Sequence, residues 1–246
     1  VFVGPIVGSG TPSLTKAGGA DLILRNNTAT ASSFGNVIVS AGRLFNDGNS
    51  SVNMQNTLGT GTYTIQSGAT LAFNQSFPLT PTNNITIASG GNISMRQNTL
   101  TLAAATTTLP TAGTVLFNRD DQNTGTIIVS AGVALTGDLT VQVGNLTTSS
   151  LGSFGTGGTV RIDGVISGSA NLTKDGNGTL ALNADNTYTG TTSVLLGVLR
   201  ADRNVPSGAA SPFGNSTSAI VVGDSTSGQI YPVLNLTPGF TSTLSG

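Results

Sequence analysis

The chemistry open to this 246-residue sequence is narrow, because it contains no His, Cys, Trp or Glu. Without imidazole or thiol there is no Ser-His-Asp triad, no thiolate nucleophile and no ordinary zinc site. Carboxylate chemistry remains. Glycoside hydrolysis needs two carboxyl groups held about 5 to 9.5 Å apart. The candidates are Asp21, Asp47, Asp120, Asp121, Asp138, Asp163, Asp175, Asp185, Asp202 and Asp224. The one adjacent pair lies in "NRDDQN" (118–123). In a strand its two side chains would face opposite ways, so a solvated turn shared with Arg119 is the simpler reading. Asp163 and Asp185 could meet on neighbouring strands, as could any two polar residues so spaced. "NDGN" (46–49) and "DGN" (175–177) resemble pieces of calcium loops, but a two-residue Asp-Gly turn explains both. The expectation is a protein with no catalytic residue, cofactor or metal.

The two lysines are placed less casually. Lys16 lies in "LTKAGGADLIL" (14–24) and Lys174 in "LTKDGNGTLAL" (172–182), at the same position of a repeated phrase. One reading has each lysine close a strand, its charge keeping an exposed turn from pairing with another chain. The other has the two lysines contact an anionic glycan or a neighbouring subunit. Gly18 and Gly176, followed by Gly19 or Gly178, would form the turn.

The repeat extends outward. "VRIDGVISGSANLTK" (160–174) lies over "VFVGPIVGSGTPSLTK" (1–16). Downstream, Leu22 and Leu24 match Leu180 and Leu182, Val39 matches Val194, Gly42 matches Gly197 and Leu44 matches Leu199. Further on, Gly59 and Ile65 match Gly214 and Ile220, and "LAFN" (71–74) corresponds to "VLNL" (233–236). Residues 1–158 thus read as one complete unit, and 159–246 as a partial second copy continuous with it.

These phrases must be positioned by strands. Segments of about five residues, such as "TYTIQ", "TIIVS", "TVRID" and "GTLAL", alternate apolar and polar side chains between Gly, Asn and Ser turns. The gaps are too short for crossover helices, and "TLTLAAATTTL" (99–109) is too rich in Thr to be one. Repetition at two length scales, tight Gly-Ser corners and abundant Asn and Thr favour a β-solenoid over a sandwich or barrel. At 20–25 residues per coil, about ten coils are expected. A net charge of −1, charged residues at 8% and mean hydropathy of +0.17 describe a folded chain with a polar, uncharged skin. A pI of 5.0 leaves no basic footprint for nucleic acid, and no apolar run is long enough for membrane insertion. "VFVGPIV" already reads as strand, as in a mature piece or one cut from something longer.

The second copy, "LTKDGNGTLALNADNTYTGTTSVLLGVLR" (172–200), resembles the passenger-associated repeat of bacterial autotransporters through "LTK", "GNGTLAL", "NTYTG" and "GVLR" in order. The first copy is a worn version that keeps "LTKAGGADLIL" and "GRL". The motif positions are Lys16, Gly18 and Gly42 in the first copy, and Lys174, Gly176, Gly178, Tyr188, Gly190 and Gly197 in the second. The resemblance implies an all-β, right-handed parallel β-helix in a bacterial extracellular or cell-surface protein, with a repeat that serves structure and export. It brings no catalytic residues.

Two surface readings complete the expectation. Ten Asn-x-Ser/Thr sequons, among them Asn26, Asn84, Asn92, Asn177 and Asn235, could carry glycans on an exposed surface. Phe2, Phe34, Phe45, Phe73, Phe77, Phe117, Phe154, Phe213 and Phe240 read mainly as core, whereas Tyr63, Tyr188 and Tyr231 could stack on sugars. The expected function is a non-catalytic structural module. Its partners would be copies of itself joined end to end, through Val1, Phe2, Val3, Phe240 and Leu244, or the continuation of a longer chain. The alternative is an adhesin stalk that binds glycans on a side face; a polysaccharide-degrading enzyme is the remote third.

Overall fold

Alternation decides where each strand turns its side chains. In "TYTI", Tyr63 and Ile65 are buried while Thr62 and Thr64 are half-buried, as period 2 requires. In the computed structural model the described residues are 1–6, 12–26, 30–33, 35–47, 57–74, 77–117, 125–144, 158–206, 209–215, 220–223 and 232–236. Among them there are 23 strands and a single helical turn at 57–58.

Every pair of adjacent strands is parallel. Sheet I stacks ten strands in the order β1 (Phe2–Val3), β3 (Leu22–Arg25), β5 (Gly42–Asp47), β7 (Ala69–Asn74), β9 (Asn92–Met95), β12 (Gly113–Phe117), β15 (Leu139–Val143), β18 (Leu172–Asp175), β20 (Thr192–Val194) and β22 (Val221–Val222). Sheet II stacks β10 (Thr99–Leu102), β13 (Thr126–Val129), β16 (Thr159–Ile162), β19 (Thr179–Leu182), β21 (Val198–Ala201) and β23 (Val233–Leu236). Sheet III holds β2 (Leu14–Lys16), β4 (Asn36–Val39), β6 (Thr62–Ile65), β8 (Ile85–Ile87) and β11 (Thr107–Thr108). Sheet IV pairs β14 (Val133–Leu135) with β17 (Ile166–Gly168).

Where a coil shows three strands, the chain visits sheet I, then II, then III or IV, and returns to I. This is a parallel β-helix. Paired residues on successive coils are 19 (Leu180 and Leu199) to 35 (Leu199 and Leu234) apart in sequence. Residues 99–109 supply β10 and β11, with a turn between them.

Inside, like sits on like. Leu100, Ile127, Val160, Leu180 and Leu199 form one column through sheet II, all at 1% exposure or less. Each coil alone buries little, and stacking completes the core. At about 25 cal/mol per Å², one such Leu or Ile contributes roughly 1.5–3 kcal/mol. The position between 158 and 159 is crossed by β13–β16, β14–β17 and β15–β18 pairing.

The two copies of the repeat have a specific structural relation. In the first, β2, β4 and β6 lie in sheet III and β3, β5 and β7 in sheet I. In the second, β18, β20 and β22 lie in sheet I and β19, β21 and β23 in sheet II. Corresponding residues keep the same register: Lys16 pairs with Val39 as Lys174 pairs with Val194, and Leu22 with Leu44 as Leu180 with Leu199. The second copy is therefore the same stack of strand–corner–strand units, moved around the helix by one face.

Candidate functional site

The repeated phrase builds a corner, and the lysine is its cap. Lys174 ends the apolar alternation of β18 with its side chain turned inward, at 1% exposure. Its Nζ donates to the carbonyl oxygens of Asp175 (2.7 Å), Gly176 (2.6 Å) and Leu196 (2.9 Å). The first two belong to its own corner and the third to the corner of the next coil. Lys16, at 5% exposure, donates in the same pattern to Ala17 (2.9 Å), Gly18 (2.6 Å) and Ala41 (2.9 Å). Three ammonium protons thus meet three corner carbonyls that the ladders leave over.

Both readings made from sequence, a charge guarding an exposed turn and a charge reaching for a glycan or subunit, are overturned. The charge is inside, because the corner carbonyls turn inward and need a donor longer than a backbone N–H. Burial pushes the Lys174 pKa down to about 7, with the charge of Asp175 opposing the shift.

The glycines complete the corner. Gly18 and Gly176 take φ of 74° and 78°. Gly42 and Gly197, one coil later, take 63° and 72° and lie directly on the capped turns. A Cβ on Gly197 would stand 2.4 Å from the Gly176 oxygen and 2.5 Å from that of Gly178; one on Gly42 would stand 2.5 Å from the Gly18 oxygen. Gly178 donates its N–H to Val143 O of the coil before. At Gly190, a Cβ would meet the Ala170 carbonyl at 2.2 Å.

Other corners use amides. Asn83 Nδ2 donates to the carbonyls of Gly59 (3.1 Å) and Gly61 (2.8 Å). Asn186 accepts from Ile166 N–H and donates to Pro212 O. Sequence reasoning passed over both, although an Asn spaced one coil from a Gly-rich turn was the available signal.

The tyrosines stand inside as well. Tyr63 and Tyr188 are fully buried, their hydroxyls bonded to Leu58 O (2.8 Å) and Thr192 Oγ1 (2.6 Å). Burial pushes both hydroxyl pKa values well up. They offer sugars no stacking surface; Tyr231, Phe34, Phe154, Phe240 and Leu244 lie outside the described residues. Among the other phenylalanines, Phe73, Phe117 and Phe213 are in the core and Phe77 packs against it, but Phe2 is 46% exposed. Of the sequons, Asn26 and Asn92 are buried, at 1% and 7%, and so closed to a glycan; Asn84 and Asn235 are exposed.

Each described carboxylate has a partner. Asp21, Asp47, Asp163, Asp185 and Asp202 pair with Arg43, Arg25, Arg161, Arg203 and Arg200. Asp138 accepts from Asn171 N–H and Asp175 from Gly176 N–H. The Arg43 bond holds Asp21 below the usual carboxylate range, and the Asn171 amide does the same for Asp138. For Asp163, burial pushes up but the bonds from Arg161 and Asn183 prevail, and the net shift is down. A general acid needs the reverse. Asp120, Asp121 and Asp224 lie outside the described residues. No cluster of metal-ligating side chains occurs among the described residues, and no helix there is long and apolar enough to cross a membrane.

Comparison with known proteins agrees with this geometry. Residues 172–201 match the family model described as passenger-associated-transport-repeat. No curated protein and no solved structure matched the chain. The matched segment runs from β18 through β21, which is the corner of Lys174 and the next coil stacked on it. The lysine-capped corner is thus the structural content of that match, and residues 172–201 are similar to the passenger-associated-transport-repeat.

Proposed function

We propose that this chain is a non-catalytic structural segment of a bacterial secreted or surface protein, and that its end coils stack on further coils of the same kind. The repeat family supports the secreted or surface setting. The observation that carries the stacking is where apolar side chains remain exposed. Among the described residues the exposed large hydrophobics are Val1, Phe2, Val3, Val221, Val222 and Val165. All but Val165 belong to, or directly precede, the two outermost strands of sheet I. A parallel edge strand with bare N–H and C=O groups and apolar side chains is a template for another strand. With ends that differ, head-to-tail contact gives an open filament rather than a closed ring.

Electron microscopy of the protein at rising concentration tests this. Filaments of constant width are expected, and Val3→Lys or Val222→Lys should reduce them to single rods without lowering the melting temperature by more than a few degrees. Single rods of the unaltered chain at every concentration would overturn the end-to-end reading.

A further inference from the structure

A shallow groove of about 350 Å³ runs across five coils on the outer side of sheet I, beside the corner where sheet III gives way to it. One wall is nearly bare backbone. Gly42, Gly68 and Gly90 stand there with φ of 63°, 74° and 81°, and nothing lies within 4 Å of where a Cβ of Gly68 would be. The floor is polar and carries side chains on consecutive rungs: Asp21, Arg43, Thr70 and Asn92, with Leu116 closing the far end.

The floor is neutral overall and alternates donors with acceptors. Arg43 donates from Nε and Nη2 to the two oxygens of Asp21, at 3.1 and 2.5 Å, and its guanidinium lies 4.8 Å from the centre of the Phe45 ring. Both partners of the ion pair keep solvent-accessible surface. Asn92 donates from Nδ2 to Thr70 Oγ1 (3.1 Å) and Ser94 Oγ (3.3 Å). It is only 7% exposed, and its Oδ1 has no partner. The Oδ1 itself is closed to solvent, so the groove presents to a ligand the exposed surfaces of Asp21, Arg43 and Thr70 rather than this atom.

We propose that this groove binds a neutral oligosaccharide. Four rung spacings of about 4.8 Å give a track of about 19 Å, the scale of a few sugar rings. A self-neutralised Arg–Asp pair with a hydroxyl and an amide suits ligands whose groups both donate and accept, and it gives an anionic or cationic chain no net attraction. The groove lies on a sheet face, so an extended peptide finds no free backbone edge to pair with. The site is independent of the stacking of the ends.

The test is an array carrying neutral oligosaccharides, uronic-acid oligosaccharides and extended peptides, followed by calorimetry on the neutral glycans retained. Binding of a neutral glycan is expected, weakened at least tenfold by Arg43→Met and by Thr70→Val, and unchanged by Arg200→Met on sheet II. Thermal melts identify any variant that fails to fold, and the two groove variants are read separately. Three results would overturn the proposal: no neutral glycan retained, retention of uronic-acid chains or peptides alone, or binding indifferent to both groove variants.

Discussion

Burying a lysine ammonium costs several kcal/mol unless its protons find acceptors. Lys174 meets this condition with three carbonyls within 3 Å, yet burial still draws its pKa to about 7. An unfolded lysine titrates near 10.4. Between those values the unfolded chain binds more protons than the folded one, so stability rises with pH from about 7 towards 10. Replacing Lys174 with Met leaves the corner carbonyls unpaired and should cost about 2–3 kcal/mol at pH 9. That gap should narrow towards pH 6, because the variant lacks the titration. Melts of both proteins across this range check the sign, and a gap widening towards acid would contradict it. Asn46 is the opposite case: it is fully buried between Leu24 and Phe73 in the sheet I register, and neither amide atom has a partner. Asn46→Leu should raise stability by about 1–2 kcal/mol, read from denaturant midpoints.

The element that matters is the corner rather than the strand. Gly18 and Gly197 share a left-handed φ but differ in surroundings, for only Gly197 has carbonyls within 2.5 Å of its absent Cβ. Alanine at Gly18 should cost about 1–2 kcal/mol, the strain of the conformation alone. At Gly197 the clash adds to this, and a loss above about 3 kcal/mol, or failure to fold, is expected. Equal effects in thermal melts would show that φ strain alone governs both positions. Much of this element was legible in advance: the strands, the turn glycines and the equivalence of Lys16 with Lys174 follow from alternation and repetition. Its inside was not. A charged residue at a strand end is ordinarily exposed, and only the stacked coil above reveals the carbonyl that completes the cage. Tyr63 and Tyr188 misled for the same reason, since each hydroxyl finds its acceptor within the core.

At the scale of the whole molecule, parallel stacking explains why so uncharged a chain folds. Its ladders satisfy the backbone, its apolar columns fill the interior, and among the described residues the carboxylates close on arginines or backbone amides and the lysines on corners. All-β organisation and the solenoid could be read from period-2 segments, tight turns and two-level repetition. The allocation of strands to faces could not, because sequence similarity reports which corner is built and not which edge of the prism it occupies. Here the copy at 172–236 repeats the copy at 14–74 one face further round. A unit that carries its own corner cap does not depend on a particular face. Genetic duplication or loss of such a unit can therefore lengthen or shorten the protein by a fraction of a turn, with no need to keep whole coils in phase.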